Sequence, residues 1–337
     1  MINEAIRRYK SLRTEKFLSR RCGGKYAFVG MGQHSLNNLY PVLDYLKVPL
    51  KYICVTSSRK AELITKKFPG VLGTASLDAV LSDAEVRGVF VAAAPSAHFA
   101  LASKVLRSGK ALFIEKPPCA NTAELEALSG LSNGIFEAGL QKRYAPAVKI
   151  LKSRLSRTVP GHYTLRYITG SYPEGNALLD LFIHPIDLVT YLFGEAEPLC
   201  SQTAADGTKL LTFKHSDGTC GTLELSTSGS WAAAQETMTV NAKDGEYRLS
   251  QMEELSFRPA QGRIFGIPAE KVLPRSERIE YLYSRNGFNP VLANNQIVSA
   301  GFFDEISAFV DAVEGCGNKI VTGFEDILPT YKTLAKI

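Results

Sequence analysis

Ala111-Leu112-Phe113-Ile114-Glu115-Lys116-Pro117-Pro118 reads as a buried strand that runs into a lysine and is stopped by two prolines. Consecutive prolines lack the N–H that a ladder requires, so the strand ends at Glu115-Lys116 and leaves the lysine at the sheet rim. Open parallel sheets place their ligands beyond the carboxyl ends of their strands. Upstream, an apolar strand at 89–93 leads into a helix at 97–108 that stops at Gly109, a C-terminal capping signal. Further back, Tyr26-Ala27-Phe28-Val29 runs into Gly30-Met31-Gly32, followed by a helix at 36–46, a strand at 50–56, a helix at 60–68 and a short helix at 77–81. Downstream lie a helix at 122–130 and a strand at 135–140. This alternation of strand and helix with short connections predicts a doubly wound parallel sheet.

The texture changes after a helix at 146–155. Strand-like segments at 163–168, 209–213, 219–226, 236–240 and 247–249 follow, with hairpin signals at Asp206-Gly207, Asp217-Gly218 and Asp244-Gly245. Helices return at 302–313 and 325–337. The expected organisation is an N-terminal extension over 1–24, a parallel-sheet domain over 25–141, and an α+β domain with a large, mostly antiparallel open sheet over 142–337. The extension carries Arg7, Arg8, Arg13, Arg20 and Arg21, with Ile2, Ile6, Tyr9 and Leu12 on one side. It reads as an amphipathic helix that packs on the body or on a partner.

A chain of 337 residues suits two domains, and 45% hydrophobic with 21% charged residues is the composition of a globular protein. The 39 basic and 33 acidic residues leave a net charge of +6. No run of five like charges appears, which excludes a dedicated nucleic-acid arm, and the mild excess suits an anionic small ligand. Cys22, Cys54, Cys119, Cys200, Cys220 and Cys316 form no CxxC pair, so they read as free thiols of a reducing cytoplasm, Cys54 as a small buried hydrophobe. No apolar stretch approaches the roughly 18 residues a membrane span needs. The extension lacks the apolar core of a secretory signal, and Glu4 and Glu15 argue against a transit peptide. A cytoplasmic protein without membrane or nucleic-acid partners is expected.

Three rim segments carry chemistry. Gly30-x-Gly32-x-x-Ser35 sits after a strand and opens a helix, where glycines let backbone approach a pyrophosphate at the helix N-terminus; Ser35 stands where the strict fingerprint has glycine. At the end of the second strand, Val55-Thr56-Ser57-Ser58-Arg59-Lys60 holds hydroxyls and two cations but no carboxylate, a set suited to a 2′-phosphate and hence to NADP(H) over NAD(H). The alternative is that both cations are simply the solvated first turn of a helix. In Asp180-Leu181-Phe182-Ile183-His184-Pro185-Ile186-Asp187, Asp180 and His184 share a helical face, with Asp187 near it. Apolar neighbours isolate these groups, so a carboxylate there can set the tautomer and proton affinity of the imidazole. Pro185 is tolerable if the helix begins close to it. Zinc binding through Asp180 and His184 lacks an evident third ligand, and a satisfied core histidine is the plainer alternative.

Together these pieces resemble the glucose–fructose oxidoreductase / inositol dehydrogenase / rhizopine-catabolism family, Gfo/Idh/MocA, from about Lys25 to the C-terminus. The resemblance lies in the Gly30-x-Gly32 turn, Glu115-Lys116-Pro117, Gln141-Lys142-Arg143-Tyr144-Ala145-Pro146, Asp180-x-x-x-His184-x-x-Asp187-Leu188, Phe302-Phe303-Asp304-Glu305-Ile306 and Val321-Thr322-Gly323. It implies an N-terminal Rossmann domain and hydride transfer between a nicotinamide and a secondary hydroxyl or ketone of a sugar, cyclitol or nucleotide-sugar. It further implies that Lys116 contacts the nicotinamide side and the reacting hydroxyl, that His184 is the acid/base, and that Asp180 orients substrate or imidazole. Implied cofactor contacts come from Gly30, Gly32, Gln33, His34, Ser57, Ser58, Arg59, Ala94, Pro95, His98, Glu115, Lys116 and Arg143, with no metal. His98 reads equally as a helix-capping residue. Gly175-Asn176-Ala177 departs from the glycine-rich run the family often has before the aspartate. A cofactor-binding regulator and an imine or conjugated-double-bond reductase are the alternatives within that fold. Substrate contacts are expected around Tyr172-Pro173-Glu174, Trp231 and 286–295. An open face on the second sheet implies a homodimer or homotetramer.

Overall fold

The computed structural model describes residues 2–19, 22–132, 134–272, 278–317 and 319–337. Arg20 and Arg21 of the basic extension lie outside them. In chain order the first part holds α1 (Ile2–Ser19), β1 (Lys25–Val29), α2 (Tyr40–Tyr45), β2 (Leu50–Cys54), α3 (Ser58–Lys67), β3 (Leu72–Thr74), α4 (Leu77–Ser82), β4 (Val86–Val91), α5 (Pro95–Arg107), β5 (Ala111–Glu115), α6 (Thr122–Leu131) and β6 (Phe136–Gly139). The six strands pair in parallel in the order β3-β2-β1-β4-β5-β6, which reverses direction between β1 and β4. A ligand crevice belongs at that reversal.

The strands are apolar on both faces because both are covered. Ala27, Val29, Val91, Leu112 and Ile114 share one core with Leu125 of α6. Tyr26, Phe28, Phe90 and Phe113 share the other with Leu39 and Leu43. The expected helix at 36–46 is split: a π-helical turn (Ser35–Leu39) precedes α2. The Tyr40 N–H bonds Ser35 O five residues back, and Pro41 has no N–H to continue an α-helical ladder.

The second part comprises α7 (Pro146–Leu155), β7 (Pro160–Ile168), α8 (Ala177–Asp180), α9 (Ile183–Phe193), β8 (Ala196–Thr203), β9 (Lys209–His215), β10 (Cys220–Ser226), β11 (Gln235–Ala242), β12 (Gly245–Ser250) and β13 (Glu254–Pro259). After the small hairpin β14 (Arg263–Ile264) and β15 (Ile267–Pro268) come β16 (Glu280–Ser284), α10 (Gln296–Ser299), α11 (Phe302–Val313) and α12 (Phe324–Leu334). An eight-stranded sheet runs β16-β13-β12-β11-β7-β10-β9-β8, antiparallel except between β7 and β10. All three Asp-Gly pairs lie between antiparallel neighbours, as read from the sequence. One face packs on α7 and α9 through Val148, Leu151, Ile186 and Val189; Thr164, Arg166 and Thr222 on the other are exposed.

One packing arrangement differs from expectation. α11 and α12 follow the second sheet in sequence but cover the first: Ile306 and Phe309 join the Phe28–Phe113 core, Ile327 and Tyr331 the opposite one. In α1, Ile6, Tyr9 and Leu12 are exposed.

Under α11 lie two buried carboxyl groups, Glu137 of β6 and Glu305, with no hydrogen-bond partner on any of their oxygens. Burial pushes Glu137 up to about 8; the Tyr144 and Thr322 hydroxyls oppose that shift without closing a hydrogen bond of good geometry. Burial and the neighbouring Glu137, Glu115 and Asp187 charges raise Glu305 well above the usual carboxylate range. The native state thus holds protons the unfolded chain has released, so stability falls as pH rises from the ordinary glutamate range, roughly 4.3, toward about 8. Glu137→Gln flattens that decline, as thermal midpoints across the window will show; a variant that follows the parent's pH profile contradicts this.

Candidate active site

The turn after β1 is shaped by backbone demands. Gly30 has φ of +93°, and a Cβ there would lie 2.1 Å from Ala92 O, so only glycine brings this turn against β4. Gly32 faces open space, with no heavy atom within 4 Å of a built Cβ. A cavity of about 980 Å³ opens there, walled by Gly30, Gly32, Gln33, His34 and Ser35 and continuing past Ala94, His98, Glu115 and Lys116 to Tyr172, Leu181 and Trp231. Glycine backbone on an open, mostly apolar cavity of this size fits a dinucleotide. His34 Nε2 lies 3.0 Å from Glu115 Oε1, and Asn38 Nδ2 donates to His34 Nδ1 at 3.0 Å, so Nε2 carries the proton toward the glutamate.

At the end of β2 the wall residues are Cys54, Val55, Thr56 and Lys60. Ser57, Ser58 and Arg59 do not line it; Ser57 is the N-cap of α3 and accepts from Lys60 N. Pro95 opens α5 and also stands off the wall. His98 is buried between two rim turns, with Nδ1 2.8 Å from Pro117 O and Nε2 3.0 Å from Ala93 O. Burial lowers its pKa; the neutral ring donates to one of these two carbonyls, and with both nitrogens facing backbone oxygens neither is free toward the cleft.

Lys116 leaves the rim of β5 and donates from Nζ to the backbone oxygen of Asp180 at 2.5 Å. Burial lowers its pKa and the Lys142 charge adds to that, against the opposing pull of Glu115 and Asp180. The expected continuous helix from Asp180 to His184 is broken: α8 ends at Asp180 and α9 begins at Ile183, with His184 N bonded to Leu181 O. Pro185 therefore falls in the first turn of α9, where its missing N–H costs nothing. The Asp180 carboxylate is not hydrogen-bonded to the imidazole Nδ1. Its Oδ2 accepts from Tyr172 OH at 3.2 Å and Asn176 N at 3.0 Å.

His184 is 7% exposed and sits behind the cavity wall, its Nδ1 buried without a partner. Burial and the charges of Lys116, Lys142 and His34 press its pKa well below the ordinary histidine value. Asp187 does not serve it. Arg143 claims Asp187 in a bidentate pair, Nη2–Oδ1 at 2.6 Å and Nε–Oδ2 at 2.9 Å, and Thr330 Oγ1 donates to Oδ1 at 2.8 Å. Arg143 also donates to Val321 O, so its guanidinium is fully engaged in the core and is not a cofactor contact. The polar neighbour missed in the sequence is Lys142, which donates to both Glu236 carboxylate oxygens at 2.6 Å and lies 4.8 Å from the Tyr167 ring centre. Nothing in the sequence links residues so far apart. Segment 286–295 contributes nothing to the wall, whereas Tyr172 and Trp231 do. Among the described residues no cluster of three or more metal-ligating side chains occurs. Gly30→Ala forces both a strained φ and a backbone clash, and removes NADPH binding measured by nicotinamide fluorescence; unaltered affinity contradicts this cradle.

Residues 24–133 match the model of an oxidoreductase family with an NAD-binding Rossmann fold, GFO_IDH_MocA. The chain is 32% identical over 145 residues to UDP-N-acetylglucosamine 3-dehydrogenase of Acidithiobacillus ferrooxidans, a match covering 41% of this chain and 43% of that relative, less than half its length. It is 23% identical over 249 residues to trans-1,2-dihydrobenzene-1,2-diol dehydrogenase of Bos taurus, covering 67% of this chain and 72% of the relative. A dehydrogenase from Chromobacterium violaceum superposes with a TM-score of 0.76 at 20% identity, covering 93% of this chain and 94% of that one, which extends the likeness of fold over both sheets. Over residues 24–133, about a third of its length, the chain is therefore similar to the nucleotide-binding part of the Gfo/Idh/MocA oxidoreductase family.

Proposed function

We propose that the protein is an NAD(P)-dependent oxidoreductase, preferring NADP(H), that interconverts a secondary hydroxyl and a ketone on a sugar, cyclitol or nucleotide-sugar. The observation that carries this reading is Lys116: its amine shares one cavity with the Gly30–Ser35 turn and reaches across to Asp180. The bound nicotinamide supplies hydride exchange at its C4. Lys116 holds the hydroxyl oxygen and stabilises the alkoxide that develops there. His184, kept neutral by burial behind the wall, takes the hydroxyl proton in oxidation by way of the Lys116 amine that lines the cavity, and returns it by the same route in reduction. The Asp180 backbone oxygen fixes the amine, and the Glu115 and Asp180 charges favour its protonated form.

The wall near β2 supports NADP(H): it presents Thr56 and Lys60 and, among the described residues there, no carboxylate. NADPH binds about tenfold or more tightly than NADH, a difference of about 1.4 kcal/mol, and Lys60→Glu narrows the gap. Lys116→Met and His184→Ala each lower kcat about 10²–10⁴-fold with NADPH binding retained. Full turnover by both variants on an identified substrate contradicts the assigned roles. NADPH binding with no turnover across a sugar and nucleotide-sugar panel identifies a regulator instead.

The proposal includes self-association through the open face of the second sheet, where Arg166, Gln202, Leu210, Thr222, Glu224 and Thr239 line a shallow groove of about 640 Å³. Sedimentation at micromolar concentration gives a homodimer or homotetramer; a monomer contradicts it.

A further inference from the structure

Trp231 lies in the loop between β10 and β11 and is the single tryptophan of the chain. It is 54% exposed, yet held firmly. Its Nε1 donates to Ser171 O at 2.9 Å, Ser230 caps its short turn, and Gly229 N donates to Thr169 O at 2.9 Å, so its loop is bonded to the loop that follows β7. Gly170 lies directly beneath the ring: a Cβ there would stand 2.4 Å from Trp231 Cδ1. A large apolar ring fixed this tightly, half open to solvent, on the wall of the cavity that holds Lys116, has a ligand-facing surface.

The chemistry of that surface is narrow. The indole N–H is already spent on Ser171 O, so Trp231 offers a ligand only its ring face. Tyr172 and Leu181, which line the same cavity, carry no charge; of the wall's lysines, Lys60 lies just past the end of β2 and Lys116 Nζ is bonded to the Asp180 backbone oxygen. We propose that Trp231 is the stacking platform of the substrate subsite and takes the apolar C–H face of an uncharged pyranose or cyclitol ring beside Lys116. This deepens the oxidoreductase reading and rests on it for the position of the reacting carbon. A ring lying on the indole is oriented by its face, which leaves its rim hydroxyls to Lys116 and the Tyr172–Asp180 pair.

Because all indole emission comes from this one residue, the platform can be watched without turnover. The full chain, saturated with NADP⁺, is titrated with myo-inositol, N-acetyl-D-glucosamine, UDP-N-acetylglucosamine and UMP while tryptophan emission is recorded. A saturable change with at least one ring-bearing probe and none with UMP is expected. A response to UMP alone assigns the platform to a nucleobase and overturns the proposal, as does silence with all four probes. On a substrate that turns over, Trp231→Ala raises KM about tenfold with kcat nearly unchanged, and Trp231→Phe restores most of the loss. An unchanged KM in a Trp231→Ala protein of normal thermal midpoint overturns it too. A ring-dependent emission change without any turnover leaves the platform standing and removes the catalytic reading alone.

Discussion

The hydrogen bond from Lys116 Nζ to the backbone oxygen of Asp180 is the contact on which this architecture turns. It crosses from the rim of the parallel sheet to the junction of α8 and α9, which belongs to the antiparallel half. A mostly buried amine is costly unless its hydrogens are used, and here one is used on the opposite unit. The bond therefore works only if the two sheets hold a fixed relation. That relation is maintained by elements that return late in the chain: α11 and α12 cover the first sheet after the second has been completed.

Two buried ion pairs close the same seam. Arg143–Asp187 ties the turn at Gln141–Tyr144 to α9, and Lys142–Glu236 ties it to β11. Such pairs add little net stability over an apolar packing of equal volume, but loss of one partner strands a charge, so they resist local rearrangement. They also shape the electrostatics of the cleft. Burial is the main cause that lowers the proton affinity of both Lys116 and His184, and the Lys142 charge adds to it. The result is an amine and an imidazole both biased toward their neutral forms beside the cavity.

Much of the first sheet was legible because its signals are local. A two-proline stop after Glu115-Lys116 and a glycine turn after Val29 each fix a strand end without reference to the rest of the chain. The Asp-Gly hairpins are legible for the same reason. The break between Asp180 and Ile183 was not, because the apolar run around it has helical periodicity on both sides and no glycine interrupts it. Arg143 was misread for a different reason: its partner Asp187 lies 44 residues away, and nothing in either segment announces the pairing. Amphipathicity marks α11 as having a buried face but carries no address for the sheet it covers. At the β2 end the quoted run contains both cations, and nothing local in it marks that Lys60 rather than Arg59 lines the wall while Ser57 caps the helix.

We propose that the nicotinamide binds between the Gly30–Ser35 turn and the Lys116–Asp180 contact. A crystal structure of the NADP⁺ complex tests it most directly. The account predicts the pyrophosphate against the backbone of Gly30 to Gln33 and the nicotinamide ring in van der Waals contact with the Lys116 side chain. A dinucleotide bound elsewhere, or a nicotinamide that leaves Lys116 untouched, would contradict it.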